Sequence, residues 1–265
     1  MCRLIFETVK WADGAPRLLP WHQERVGKAM ELYGAADAPV PDLAAVLAFC
    51  PGPGSGIYKC HITYDTQGRV KAPVFAPYRP RRVKKLVCVE VPHLDYSCKW
   101  EDRTALEAVG AGLGGDEEAL ILRNGLVTDT RYSNVVFGDG CRWVAPETFL
   151  LPGTKRAFLL ERGRMECRPL KAEDVKKFRF CSLVNAMLDP GDVVVRTEDI
   201  LLPWAILVIV EKRRFRPEDG RRGAVPCESH RDGSREVLGY GGPDRKISGA
   251  CHTASKVGTP MPVMP

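Results

Sequence analysis

The chain has 265 residues, 27% charged and 45% hydrophobic, enough apolar content for one large core or two modest ones. Its formal charge of +6 sits mostly at the end: from Glu211 onward eleven Lys/Arg face seven Asp/Glu, so +4 of it lies there, the rest is nearly neutral, and a nucleic-acid-binding body is disfavoured. The ten cysteines include no C-x-x-C pair, and the longest apolar run, WAILVIV from Trp204, is about a third of the roughly 20 residues a bilayer span needs, which argues against a disulfide scaffold, a zinc module or a membrane protein.

MCRLIFETVKW carries no long apolar leader, so the expectation is a cytosolic chain with reduced thiols, in which Cys60, Cys88 and Cys181 act as small buried hydrophobes. LIFETVKW reads as a strand, ADG as a turn and APRLLP as the start of a second short strand. WHQERVGKAMELYG has helical spacing, with Val26, Met30, Leu32 and Tyr33 as its apolar stripe and Gly34 as its C-cap; DLAAVLAFC is a second helix, and PGPGSG is a loop. IYKCHITYD and KAPVFAPY form strands around a TQG turn, and KKLVCVEV is another. DRTALEAVGAGL predicts a helix capped by Asp102. EALILRNG, LVTDTRYSNVVFGDG and RWVAPET form a second group of strands with Asn-Gly and Asp-Gly turns. TKRAFLLERG is helical, ECRPLKAEDVKKF adds a strand and a short helix, and FCSLVNAML closes the folded part.

Two α+β lobes are expected, residues 1–90 and 91–205, divided around VEVPHLDYS, with a small-molecule site in the cleft. From about residue 206 the sequence is rich in Gly, Pro and Arg without an apolar period, and it is expected to be a disordered extension.

Several polar residues do not suit their surroundings. Asp129 and Asn134 interrupt the apolar GLVTDTRYSNVVF, although Asp and Asn are depleted in strands. Lys99 follows DYSC and precedes Trp100. Arg25 sits within an amphipathic helix, and LLPGT delivers Thr154 to a helix start whose free amides make an anion site. Taken singly, each has a bland account: a solvated lysine, a turn or ion-pair aspartate, a solvent-facing arginine, an N-cap threonine. Together they meet the needs of pyridoxal phosphate, which takes a lysine amine, a carboxylate against its ring nitrogen and an anion cup.

The blocks FETVKWADG, WHQERV, YKCHITYD, DYSCKWEDRTAL, GLVTDTRYSNVVF, LLPGTKRAFLLERG and LVNAML, in this order over about residues 4–200, resemble the class IV, branched-chain-aminotransferase-like family of pyridoxal-phosphate enzymes. That family includes branched-chain and D-amino-acid aminotransferases and 4-amino-4-deoxychorismate lyase. The resemblance implies a two-lobed α+β fold of the class IV aminotransferase type and a homodimer. It implies that Lys99 joins the cofactor's aldehyde and is the catalytic base, that Arg25 and Thr154 bind phosphate, that Asp129 faces the ring nitrogen, and that Asn134 and Asn185 complete the cofactor site. No metal is expected. Asp129 stands where most members have Glu, and His61 where many have Arg; with the sequence starting almost at FET, the leading strand of longer members is expected to be absent.

The short chain and the NAML block lean toward the lyase, which forms p-aminobenzoate and pyruvate; branched-chain or D-amino-acid transamination, and a cofactor-binding relic without turnover, are the alternatives. Nucleic-acid binding through the basic tail is a further, less favoured reading.

Overall fold

The computed structural model describes residues 3–140 and 142–202; the expected disordered extension from residue 206 lies outside the described residues. β1 (Leu4–Ala12) organises the first sheet. Its odd residues Ile5, Val9 and Trp11 are buried with Val26, Ala29 and Met30 of α1 (Leu19–Tyr33) and with Leu43 and Leu47 of α2 (Leu43–Phe49). Its even residues Phe6 and Thr8 line a cavity on the opposite face. β1 pairs antiparallel with β3 (Ile57–Asp65), from Leu4↔Asp65 to Ala12↔Ile57. With β2 (Ala15–Pro16) and β4 (Val74–Pro77) the order is β2-β1-β3-β4.

Helix α1 ends at Gly34, whose N–H donates to Met30 O at 2.8 Å. Leu32, expected in the apolar stripe, is 70% exposed. It lies two residues from Met30, and positions two apart on a helix do not share a face. Asp42 caps α2 by accepting from the amides of Ala44 and Ala45.

The second sheet follows the path β10 (Glu166–Arg168), β9 (Trp143–Pro146), β8 (Asn134–Gly138), β7 (Leu126–Thr130), β6 (Glu117–Arg123), β5 (Lys85–Glu90) and β13 (Ile200–Leu201). β11 (Phe180–Val184) pairs with β8 and with β12 (Val194–Arg196). Leu120, Leu122, Val135, Phe137 and Leu183 are buried in its core, as are Cys88 and Cys181. β12 and β13 were not visible as strands in the sequence, because two or three residues carry no measurable period.

The strands do not follow a single cut at residue 90. β5, expected in the N-terminal lobe, pairs with β6 in the second sheet. The Lys99 stretch, expected in the C-terminal lobe, lies along the edge of the first: Phe6 N–H donates to Lys99 O at 3.0 Å, and Glu101 N–H donates to Leu4 O at 2.9 Å.

Two further expectations are corrected. The helix predicted over 102–113 is only α3 (Thr104–Ala108). Asp102 accepts from the Thr104 amide at 3.0 Å, but Gly110 and Gly112, the latter at φ 84°, stop it. The interrupted strand around Asp129 is two strands, β7 and β8, closed by the Asp129↔Asn134 pair. In the turn between them Thr130 N–H donates to Ser133 O at 2.8 Å, and Thr130 Oγ1 accepts from the Ser133 amide at 3.0 Å.

Candidate functional site

A cavity of about 370 Å³ opens beside the even face of β1. Arg25, Lys99, Asp129, Asn134, Thr154 and Asn185, scattered over 160 positions of sequence, all line it.

The backbone of Lys99 is fixed by its bond to the edge of β1, so the side chain crosses that strand's cavity face. Its Nζ lies 4.5 Å from the centroid of the Phe6 ring and, among the described residues, makes no hydrogen bond or ion pair. Burial, and then the charge of Arg25, push the Lys99 amine down to about 7 against an opposing pull from Glu7. A lysine in that state supplies a neutral amine near neutral pH.

Asp129, on the same cavity, is 3% exposed. Its Oδ2 accepts from the amides of Leu150 and Leu151, both at 2.9 Å, and its Oδ1 accepts from Asn134 Nδ2 at 2.7 Å. Burial nonetheless pushes the carboxyl up to about 6, outweighing these three donors. Two carboxylate oxygens offer about four acceptor positions, so one on Oδ1 remains for a donor in the cavity. A cationic N–H would satisfy it best, since it would also compensate the buried charge.

Asn134 acts behind Asp129. Its second Nδ2 hydrogen reaches Leu151 O at 3.1 Å, tying the carboxylate to the loop before α4 (Thr154–Glu161). Gly153 makes room for this amide, because a Cβ there would lie 1.8 Å from Asn134 Oδ1.

The third wall joins a helix start to an arginine. α4 starts at Thr154 after Gly153, and among the described residues no side chain caps its first amides. Arg25 approaches the same corner from α1, its NH1 donating to Pro152 O at 3.3 Å. It is held by Glu7, which accepts from Arg25 Nε at 2.9 Å and NH2 at 2.5 Å. Glu7 also bonds His22 Nδ1 at 2.5 Å, and His22 Nε2 stands 3.5 Å from Thr154 Oγ1. Burial lowers the His22 pKa despite its bond to Glu7, so the ring is neutral, and the tautomer that donates Nδ1–H to Glu7 presents Nε2 as an acceptor.

Asn185 lines the cavity, but its side chain is saturated: Nδ2 donates to Ser133 Oγ and Tyr132 O, while Oδ1 accepts from the amides of Met187 and Leu188. It shapes the turn that borders the cavity and has no donor left for a ligand.

His61 stacks on Phe6 at 4.8 Å and contacts Glu101 at 3.2 Å. Sequence reasoning missed Glu7, His22, Lys59, Arg103 and Arg131. The signal for Glu7 was present: an acid in the buried-face register Ile5, Glu7, Val9, Trp11. Lys59 and Arg103 bring further positive charge to the cavity, while Arg131, which also lines it, is paired by two hydrogen bonds with buried Glu118.

Among known structures, the chain is similar to a candidate 4-amino-4-deoxychorismate lyase from Haemophilus somnus, with 30% identity over 70% of this chain and 96% of that one and a TM-score of 0.65. It also shares its fold with a candidate amino-acid aminotransferase from Mesorhizobium loti, at 22% identity over 75% of this chain and 99% of that one and a TM-score of 0.59. An uncharacterised protein of Haemophilus influenzae is 28% identical over 186 residues, 69% of this chain and 97% of that one. No family model matches the chain.

Proposed function

Because the chain belongs to the class IV, branched-chain-aminotransferase-like family of pyridoxal-phosphate-dependent enzymes, we propose that Lys99, Asp129 and the Arg25–Thr154 corner hold pyridoxal 5'-phosphate, and that the enzyme cleaves 4-amino-4-deoxychorismate to p-aminobenzoate and pyruvate. The observation that carries the site reading is one cavity bordered by three matched features: an unpaired amine, a buried carboxylate with spare acceptor capacity, and an uncapped helix start beside an arginine. Their chemistry fits the aldehyde, the ring nitrogen and the phosphate of the cofactor respectively. When bound, the cofactor supplies an electron sink for a carbanion on the substrate.

The chain's own residues then divide the work. Arg25 and the first amides of α4 bind the phosphate oxygens. Asp129 keeps a proton on the ring nitrogen, and Asn134 keeps Asp129 aimed. Lys99 Nζ, in an environment that already disfavours its charged form in the cofactor-free chain, accepts the proton removed from the substrate once it is freed from the cofactor, and returns it to the product. Phe6 and Leu150 give the cavity lining apolar surface that disfavours water.

Two observations favour the lyase. The relative that establishes the family is a candidate lyase matched over nearly its full length. Lys59 and Arg103 also line the cavity, beside Arg25 and an Arg131 that is already paired with buried Glu118, in keeping with a substrate bearing carboxylates. Transamination of a branched-chain or D-amino acid is the second reading, in keeping with the fold shared with an aminotransferase candidate. A homodimer in the cytosol belongs to the same proposal. Among the described residues no helix is long and apolar enough to cross a membrane.

Two experiments test this. Borohydride reduction of the cofactor-loaded protein followed by peptide mapping is expected to label Lys99; a label elsewhere, or none, refutes the site. Incubation with aminodeoxychorismate is expected to yield p-aminobenzoate and pyruvate. Glutamate formed from leucine and 2-oxoglutarate, without p-aminobenzoate, reverses the choice of reaction, and failure of every donor to react identifies a binding relic.

A further inference from the structure

Glu7 occupies a position where β1 otherwise presents Ile5, Val9 and Trp11 to the core, and it is fully buried. A carboxylate there is costly unless it is paired and hydrogen-bonded. Its pairing is two-sided. Oε1 accepts from Arg25 Nε, while Oε2 accepts from Arg25 NH2 and bonds His22 Nδ1. Burial pushes the carboxyl up, but the charge of Arg25 and the bonds from His22 and Arg25 overcome this and hold it at about 2, so it stays ionised throughout the physiological range.

The consequence lies at Arg25. A guanidinium has five N–H donors; two lock onto Glu7 and one onto Pro152 O, which leaves two free on a fixed group that lines the cavity beside the residue before α4. A flexible arginine on a helix face would have to be ordered by its ligand, whereas this one is ordered beforehand. His22, seated on the same carboxylate, carries the network to Thr154 on the other wall of the corner.

We propose that Glu7 is the positioning residue of the phosphate corner: it holds Arg25 in its anion-binding orientation and so gives the site its preference for the phosphorylated form of the cofactor. This rests on the reading of Arg25 as a phosphate ligand. Glu7 contacts no reacting atom; it acts through Arg25.

The test compares pyridoxal phosphate with pyridoxal, which lacks the phosphate, on the full chain. Trapping of either on Lys99 by borohydride reports binding by folded protein only. Glu7→Gln is expected to keep pyridoxal binding within about twofold while weakening pyridoxal phosphate about tenfold or more, the scale of a misaligned charge-assisted contact. Inorganic phosphate is expected to raise the melting temperature of the cofactor-free wild type and not that of Glu7→Gln. In an Arg25→Ala background the Glu7 substitution is expected to have no further effect on the preference. Should Glu7→Gln fail to fold, Glu7→Asp, whose carboxylate is retracted by one methylene, is expected to show the same selective loss at smaller size. Equal weakening of both ligands, an unchanged preference, or a full Glu7 effect without Arg25 overturns the inference. If wild-type Lys99 is not trapped at all, the cofactor reading fails instead, and the inorganic phosphate shift still tells whether Glu7 organises an anion site.

Discussion

Replacing Asp129 with Asn separates the cost of the carboxylate to the fold from its use in the site. In the cofactor-free protein its pKa is raised from 3.8 to about 6. The folded chain thus binds this proton more tightly than the unfolded chain, and stability falls as pH rises from about 4 to about 6 and stays low above it. At pH 7.5 the ionised group costs on the order of 3 kcal/mol, and at pH 5 roughly half of that. Asn removes the penalty but not the geometry. Its oxygen is claimed by the Leu150 and Leu151 amides, so its NH2 must face Asn134 Nδ2, donor against donor. That unmet contact costs about 1–3 kcal/mol. The two effects nearly cancel at pH 7.5, where cofactor-free Asp129→Asn is expected within about 2 kcal/mol of wild type, and the variant becomes relatively less stable at pH 5. Loaded enzyme behaves differently: a neutral amide does not hold the ring proton, and kcat is expected to drop about 100-fold or more. Urea unfolding of the cofactor-free protein at both pH values, with kcat of the loaded enzyme, decides. A loss of stability above about 4 kcal/mol that does not change with pH, or an unchanged kcat, refutes the reasoning.

Asp129→Glu, which installs the acid that the resembling family favours, is expected to weaken cofactor binding: the extra methylene drives the carboxylate into the Leu150 and Leu151 amides, at about 1–3 kcal/mol of overpacking, visible in a titration of cofactor into the apoprotein. Gly153→Ala places a Cβ on Asn134 Oδ1 and is expected to lower both the melting temperature and cofactor affinity, while Gly163→Ala just beyond the far end of α4, at φ 61° but with nothing for its Cβ to meet, strains the backbone and is expected to lower the melting temperature while sparing cofactor affinity. Lys99 has its pKa lowered from 10.5 to about 7, so between those values the unfolded chain carries the extra proton and cofactor-free stability rises with pH; Lys99→Met is expected to flatten that rise in urea titrations at pH 7 and 9.5.

The fold and the cavity were legible in the sequence to different depths. Elements long enough to show a period, β1, α1, β3, β6 and α4, were readable as such; β12 and β13 were too short, and α3 was overextended because its alanines and leucines match a helix until two glycines intervene. Asp129 stood out because it violates a local rule, yet the rule pointed to only half of the cause. The chain turns there, and the carboxylate is buried because the loop before α4, more than twenty residues away, brings two amides to it. Asn185 shows the opposite: its position in a recognisable block suggested ligand contact, while four intramolecular hydrogen bonds exhaust it. Glu7 was hidden for a further reason. Its partners His22 and Arg25 are three residues apart, nearly one helical turn, and only when α1 packs on β1 do both face the same carboxylate. A charge placed in an apolar register has to be met from another element, and the sequence marks the vacancy in the pattern without naming the side chain that fills it. The polar residues that look misplaced in one dimension therefore point to contacts between elements, and here those contacts converge on a single cavity because β1 presents Glu7 on one face and the floor of the site on the other.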